Sequence, residues 1–341
     1  MKTPGATLKQ IADLLNVSIS TVSRALSKNP RISKAMQEKV FAVAEEIGYV
    51  SPGMVQIEIN RRSKFIGVIV PKIEYHLYAM AISGIEKIAE AEGMHIIVCQ
   101  SNESQEREQS MVRELIDLGV AGVIVSLASE TKNFSHYDAL KRKNIPLVFF
   151  NRECDDIETD KVTIDNYKAA YDATEHMIAI GCKKIAYLGG TETLQINNAR
   201  AKGYKAALKK NGIKINDTLL VYSRFKREST LSAARKLLYA PDYPDGILAF
   251  SDQIAISVML AAKERGIAIP ENLSLVGFNN EPIADLLVPS LTSVDQPGYT
   301  MGEESAKLIL KQIKNYAAPY EKKVLKSFLI IRNSTNRNKE S

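Results

Sequence analysis

The sequence predicts an α/β protein in two parts: an N-terminal three-helix helix-turn-helix headpiece and a core of two doubly wound parallel-sheet subdomains. Three observations carry this. The N-terminal stretch shows short helical periodicities broken by capping residues. From residue 65 onward, short continuously apolar runs alternate with amphipathic stretches, the pattern of parallel strands covered on both faces. There are too many such units for one comfortable sheet, so the core divides into two with a cleft between them.

In the headpiece, Leu8, Ile11, Ala12 and Leu15 fall on one helical face. Thr7 with Gln10 forms a capping-box start, and Asn16-Val17-Ser18 breaks the run. Ser18 can cap a second short helix with Val22, Ala25 and Leu26 inward and Ile19, Ser20, Thr21, Ser23 and Arg24 outward. The outward set is small, hydroxyl-bearing, methyl-bearing or cationic, which suits a helix entering a DNA major groove. A third helix from Ser33 brings Met36, Val40, Val43, Ala44 and Ile47 to close the core, and Gly48 ends it. Residues 2–40 hold seven basic side chains against two acids, a net +5 of the whole chain's +6. A basic module on a nearly neutral body points to a polyanionic partner at one end.

In the core, the strand-like runs are 65–70, 96–99, 122–126, 146–150, 184–188, 246–250 and 273–278. Helical stretches lie between or after them at 79–92, 105–118, 166–180, 200–211, 252–265 and 298–314. Ligands of open parallel sheets sit beyond the carboxyl ends of the strands. Those ends supply Pro71, Ser126, Asn151, Gly190, Ser251 and Asn279, a set whose hydroxyls and amides suit a hydroxyl-rich ligand.

Composition narrows the function. Hydrophobic residues at 45% and charged residues at 25% are ordinary for a globular chain, and no run approaches the ~18 apolar residues of a membrane span. Met1-Lys2-Thr3 leads into the headpiece without an apolar signal region, so the expectation is a cytoplasmic protein. Cys99, Cys154 and Cys182 are too scattered for a disulfide framework or a zinc site, and His76, His95, His136 and His176 lack metal-ligand spacing. Nucleotide-binding glycine loops and nucleophile elbows are missing, so no enzyme, metal or cofactor is expected.

The wording Leu8-x-x-Ile11-Ala12-x-x-x-x-Val17-Ser18-x-x-Thr21-Val22-Ser23-Arg24-x-Leu26 resembles the headpiece of the lactose-repressor (LacI/GalR) family of bacterial transcriptional regulators. Later landmarks extend the resemblance: Ile66-Gly-Val-Ile-Val-Pro71, His176-x-x-x-x-Gly181, Arg200-x-x-Gly203-Tyr204, Ser251-Asp252 and Ser274-Leu-Val-Gly-Phe278. It implies a periplasmic-binding-protein-like core that the chain crosses three times. Residues 1–50 would be the headpiece and 51–63 a hinge. The first subdomain would be 64–163 with 294–324, and the second 164–293 with 325–332. Residues 333–341 would be a polar, disordered tail. The expected DNA contacts are Thr7, Ser18, Ile19, Ser20, Thr21, Ser23, Arg24, Lys28 and Arg31. The resemblance implicates effector contacts at Tyr78, Asn151, Arg200, Phe225, Ser251, Asn279 and Gln296, and the strand-end reading adds Ser126. Arg200 has a second reading as an ion pair at a helix start, Phe225 as hinge packing, and Gln296 as a crossover hydrogen bond.

Two departures from the family pattern stand out. The hinge normally carries an alanine and a minor-groove leucine; here Val55 and Glu58 stand at those positions, flanked by Ile57 and Ile59. Asn151 and Asn279 replace common aspartates, leaving the Arg200 charge uncancelled and favouring an anionic hydroxylated ligand. The alternative is a neutral sugar, with Arg200 paired to an acid such as Glu74 or Asp165. The expectation is a homodimer on a roughly palindromic double-stranded DNA operator, regulated by a small molecule. Its dimer contacts would lie on helices 79–92 and 252–265. Control by a partner protein is the competing reading; a solute-binding protein would have a signal peptide and no basic headpiece.

Overall fold

The structure, a computed structural model, describes residues 7–27, 29, 31–47, 49 and 64–337. Helices α1 (Leu8–Leu15), α2 (Ile19–Leu26) and α3 (Lys34–Glu46) form the headpiece. The capping box is complete: the Thr7 hydroxyl accepts from Gln10 N at 3.3 Å, and Gln10 Oε1 accepts from Thr7 N at 2.8 Å. Asn16 ends α1 in the left-handed conformation at φ 51°, and Ser18 Oγ accepts from Thr21 N at 3.1 Å to start α2. Ile11, Val22, Ala25, Val40 and Ala44 are completely buried, so three short amphipathic helices share one small core. Gly48 lies outside the described residues.

The core holds two six-stranded sheets. The first contains β1 (Phe65–Val70), β2 (His95–Gln100), β3 (Gly122–Val125), β4 (Leu147–Phe150), β5 (Asp160–Ile164) and β11 (Lys322–Leu325), in the order β11-β5-β4-β3-β1-β2. The second contains β6 (Ile185–Gly189), β7 (Leu220–Tyr222), β8 (Gly246–Ala249), β9 (Ser274–Phe278), β10 (Thr292–Asp295) and β12 (Phe328–Ile330), in the order β12-β10-β9-β8-β6-β7. Every pairing is parallel except the antiparallel β10–β12 contact. The central strands are buried throughout, which is why they read as unbroken apolar runs.

The helices that shape the cleft are α4 (His76–Ala91), α5 (Gln105–Asp117), α7 (Asn166–Ala179), α8 (Gln195–Lys210), α9 (Arg227–Leu238), α10 (Asp252–Arg265) and α12 (Gly298–Lys314). The short α6 (Asp138–Arg142) and α11 (Ile283–Leu286) complete the described set. The chain passes between the lobes after β5, after β10 and between β11 and β12. Asp295 therefore belongs to the second sheet and Leu325 to the first, one or two residues beyond the boundaries read from sequence.

Helices α4 and α12 cross closely at small residues. A Cβ on Gly302 would lie 2.0 Å from the Ala81 carbonyl oxygen, and one on Gly84 2.2 Å from that of Tyr299.

The expectation of a disordered tail fails over its first five residues. Asn333–Thr335 form a 3-10 turn docked on the second lobe. Ser334 Oγ donates to the Leu275 carbonyl at 2.6 Å, and Thr335 Oγ1 pairs with Thr292 Oγ1 at 2.8 Å and His176 Nε2 at 2.9 Å. Polar composition suggests solvation, but these hydroxyls hydrogen-bond inside the fold.

Candidate functional site

Two surfaces gather the candidate residues. On the headpiece, Ser18, Ile19, Ser20, Ser23, Arg24 and Arg31 are exposed and Thr21 is half-buried. Ile19 is 48% exposed, although Val22, Ala25 and Leu26 on the opposite face of α2 are buried. An exposed isoleucine beside hydroxyls and an arginine offers a methyl contact, hydrogen-bond donors and a cation on one helical face. Thr7 is spent on its cap but stays exposed. Lys28 lies outside the described residues, as do Val55, Ile57, Glu58 and Ile59.

Between the lobes lies a cavity of about 390 Å³. Tyr78, Asn151, Arg200, Phe225, Ser251, Asn279 and Gln296 all line it. Ser126 does not: it is fully buried behind Tyr78, and its Oγ donates to the Tyr78 hydroxyl at 3.1 Å. Asn151 Nδ2 donates to the same hydroxyl at 3.1 Å. Burial, the largest influence, raises the Tyr78 pKa, so it remains a neutral phenol.

Arg200 is the centre of the cavity. Helix α8 begins at Gln195, so Arg200 sits in its second turn and not at its start. The residue is 1% exposed. Its Nε donates to Asn166 Oδ1 at 2.9 Å and its Nη1 to the Phe250 carbonyl at 2.6 Å. The guanidinium is sandwiched between Phe250 and Phe278, with its carbon 4.6 and 3.9 Å from their ring centroids. It makes no ion pair among the described residues. Asp165 caps α7 by accepting from Lys168 N at 2.8 Å, and Glu74 pairs with Lys72 at 3.0 Å. Burial lowers the Arg200 pKa to about 10, still charged at neutral pH.

Three cavity residues hold left-handed backbone: Asn151 at φ 57°, Phe225 at φ 55° and Asn279 at φ 100°. Asparagine tolerates this, but a phenylalanine there stores strain on the order of 1–3 kcal/mol. The turn aims the Phe225 ring inward, where it packs over Gly190 and lies 5.2 Å from Phe250. Gln296 Nε2 donates to Asn279 Oδ1 at 2.6 Å, so it makes a crossover hydrogen bond and lines the cavity as well.

Sequence reasoning missed Arg152 and Glu281. Arg152, 4% exposed, forms a two-point pair with Glu103 at 2.6 and 3.1 Å, and its guanidinium carbon is 5.4 Å from the Phe225 centroid. Burial opposes the Arg152 cation, but Glu103 outweighs it and raises the pKa. Burial also opposes the Glu103 anion, yet Arg152 and the Ser129 N–H hold its pKa below the usual value. Both residues follow the carboxyl ends of strands, the signal that could have found them. Glu281, 6% exposed, follows β9 and accepts from Gln253 Nε2 at 2.6 Å.

A helix-turn-helix unit in front of a two-lobed core with a polar cleft defines a class of bacterial transcriptional regulator. Two family models match the chain: "Bacterial regulatory proteins, lacI family" over residues 7–51 and "Periplasmic binding protein-like domain" over residues 174–335. The catabolite control protein A of Priestia megaterium is 32% identical, covering 89% of this chain and 92% of that protein. The transcriptional repressor CytR of Escherichia coli strain K12 is 30% identical, covering 97% of this chain and 96% of that one. A solved complex of the transcriptional regulator CelR with cellobiose superimposes with a TM-score of 0.74 at 27% identity, covering 96% of this chain and 99% of that one. The chain belongs to the LacI family of bacterial regulators; these relatives are DNA-binding regulators, not enzymes. No described helix is long and apolar enough to cross a membrane.

Proposed function

We propose that this chain is a cytoplasmic, sequence-specific regulator whose operator affinity is set by a small hydroxylated anion, a sugar acid or sugar phosphate, in the interlobe cavity. One observation carries the ligand class. Arg200 is a buried cation with no ion pair among the described residues, on a cavity wall where Asn151 and Asn279 supply amides without charge. An isolated buried charge is costly, and an anionic ligand offsets that cost. The amides and Ser251 suit hydroxyls. A relative solved with cellobiose supports a carbohydrate-like scaffold. A thermal-shift screen of neutral sugars, sugar acids and sugar phosphates tests the reading. Stabilisation by an acid or phosphate is expected; a flat response across all three classes would favour control by a partner protein.

DNA recognition rests on α2, with Ile19, Ser20 and Arg24 toward base edges and Ser18, Thr21 and Ser23 toward phosphates. One headpiece offers a small surface, so the active form is a homodimer on a roughly palindromic operator. Its partner surface is a second copy, docked through the face around α10 and α11. Ile283, Leu286 and Val288 are 42, 75 and 94% exposed there, and Leu260 of α10 is 36% exposed. The packed face of α4 is taken by α12, leaving its polar face for any contact between first lobes. Sedimentation of the Leu286→Asp, Val288→Asp double variant should give a monomer; an intact dimer would move the interface elsewhere. At the hinge, Glu58 makes the wild type bend DNA less than a Glu58→Leu variant. Equal bending in a circular-permutation assay would assign the wedge to Ile57 or Ile59.

A further inference from the structure

The cavity's unsatisfied groups are not distributed evenly. Phe225 follows β7 at the edge of the second sheet, and Arg152 lies against its ring. The Nε of Arg152 is buried without a hydrogen-bond partner. Arg200 spans the ends of β8 and β9 through Phe250 and Phe278, close enough that the Arg152 charge weakens its own. Glu103 already balances Arg152, so the uncancelled positive charge here belongs to Arg200.

The segments after β9 and β10 carry acceptors. Gln296 spends its amide N–H on Asn279, which fixes the orientation of its carbonyl, and Oε1 is buried without a partner. Glu281 lines the same cavity, is 6% exposed and has no ion pair among the described residues. Gln253 Nε2 is the only described donor to its carboxylate. A nearly buried carboxylate with one neutral partner and an orphaned carbonyl both lack donors. The carbonyl oxygen has no surface toward the cavity, so the ligand meets the carboxylate, and a sugar hydroxyl is neutral. It would not balance the carboxylate.

We propose that the cavity is built for a zwitterionic ligand of the amino-sugar phosphate or amino-sugar acid class. Its anionic group faces Arg200, and its ammonium group faces Glu281. This rests on the anionic-ligand reading above and adds a required cation on the same ligand. An ammonium supplies donors only, so it matches the under-partnered Glu281 carboxylate and cancels its charge.

Calorimetry on the full chain with four probes tests this: glucose, glucosamine, and the primary-alcohol phosphate ester of each. Glucosamine phosphate is expected to bind tightest, gaining about tenfold over glucose phosphate from a charge-assisted contact. In Glu281→Gln, which keeps the shape and removes the charge, the amino gain should disappear and the phosphate gain should remain. A phosphate gain without an amino gain in the wild type overturns this inference alone. An amino gain without a phosphate gain overturns the anionic reading and the inference with it. An amino gain that survives in Glu281→Gln, or binding of none of the four, also overturns it.

Discussion

The guanidinium carbon of Arg200 lies 3.9 Å from the ring centroid of Phe278, in a stack that shields the cation from water without neutralising it. Its two described hydrogen bonds go to a side-chain amide and a backbone carbonyl. The unliganded protein therefore carries a cost that an anion would relieve. Replacing Arg200 by Met removes the buried charge but orphans Asn166 Oδ1 and the Phe250 carbonyl. These effects oppose each other, and the unfolding free energy should change by no more than about 1 kcal/mol. Stabilisation by anionic ligands should vanish. A loss above about 3 kcal/mol in urea unfolding would make Arg200 a keystone of the fold rather than of the site.

Arg24 should discriminate between DNA sequences. It is exposed on α2, in the last turn of a helix whose opposite face is buried. Arg24→Ala should weaken specific binding by about 1–3 kcal/mol and non-specific binding far less. Equal losses on both kinds of DNA would reduce Arg24 to a phosphate contact. Binding should also weaken steeply with added salt as counterions are released.

Gly302 should not tolerate a methyl group. The added Cβ would meet the Ala81 carbonyl oxygen at 2.0 Å, and backbone cannot swing aside as a side chain can. Gly302→Ala should lower stability by about 2 kcal/mol or more by forcing α4 and α12 apart. A thermal midpoint unchanged from the wild type would contradict the close crossing.

Asp252 should give the protein an unusual pH dependence. Burial raises its pKa from 3.8 to about 7, against the opposing hydrogen bonds from Ser293 and the Glu281 N–H. Between those values the folded protein holds a proton that the unfolded chain has lost. The Asp252 contribution is therefore complete below the unfolded value and lost as pH rises through about 7. The stability of the wild type relative to Asp252→Asn should fall by about 2–4 kcal/mol from pH 4 to 8. Urea titrations of both proteins measure the difference; a rise with pH would mean that Asp252 is held ionised.

Much of the fold was legible because burial on both faces writes itself into sequence. β1, β3, β4, β6, β8 and β9 lie in the sheet interiors and read as unbroken apolar runs. The edge strands β7, β11 and β12 are short and only partly buried, so their sequences resemble loops. The first turns of α8 were missed because Gln195, Asn197 and Asn198 read as loop residues, yet Asn197 is buried and accepts from Tyr187 Oη and Gly190 N. At the site, strand ends revealed Asn151, Ser251 and Asn279. The Arg152–Glu103 pair depends on two residues 49 positions apart, which no local pattern reveals. Ser126 satisfied the strand-end rule but turned its hydroxyl toward Tyr78.

The central claim is that an anion completes Arg200. Calorimetric titration of a phosphorylated sugar and its parent sugar, on the wild type and on Arg200→Lys, tests it most directly. Lysine keeps a charge but loses the planar stack between Phe250 and Phe278 and the forked donor geometry. The account predicts that the phosphorylated sugar binds the wild type at least about tenfold more tightly than its parent, and that Arg200→Lys loses most of this preference. Tighter binding of the parent sugar, with the preference unaltered in Arg200→Lys, would contradict it.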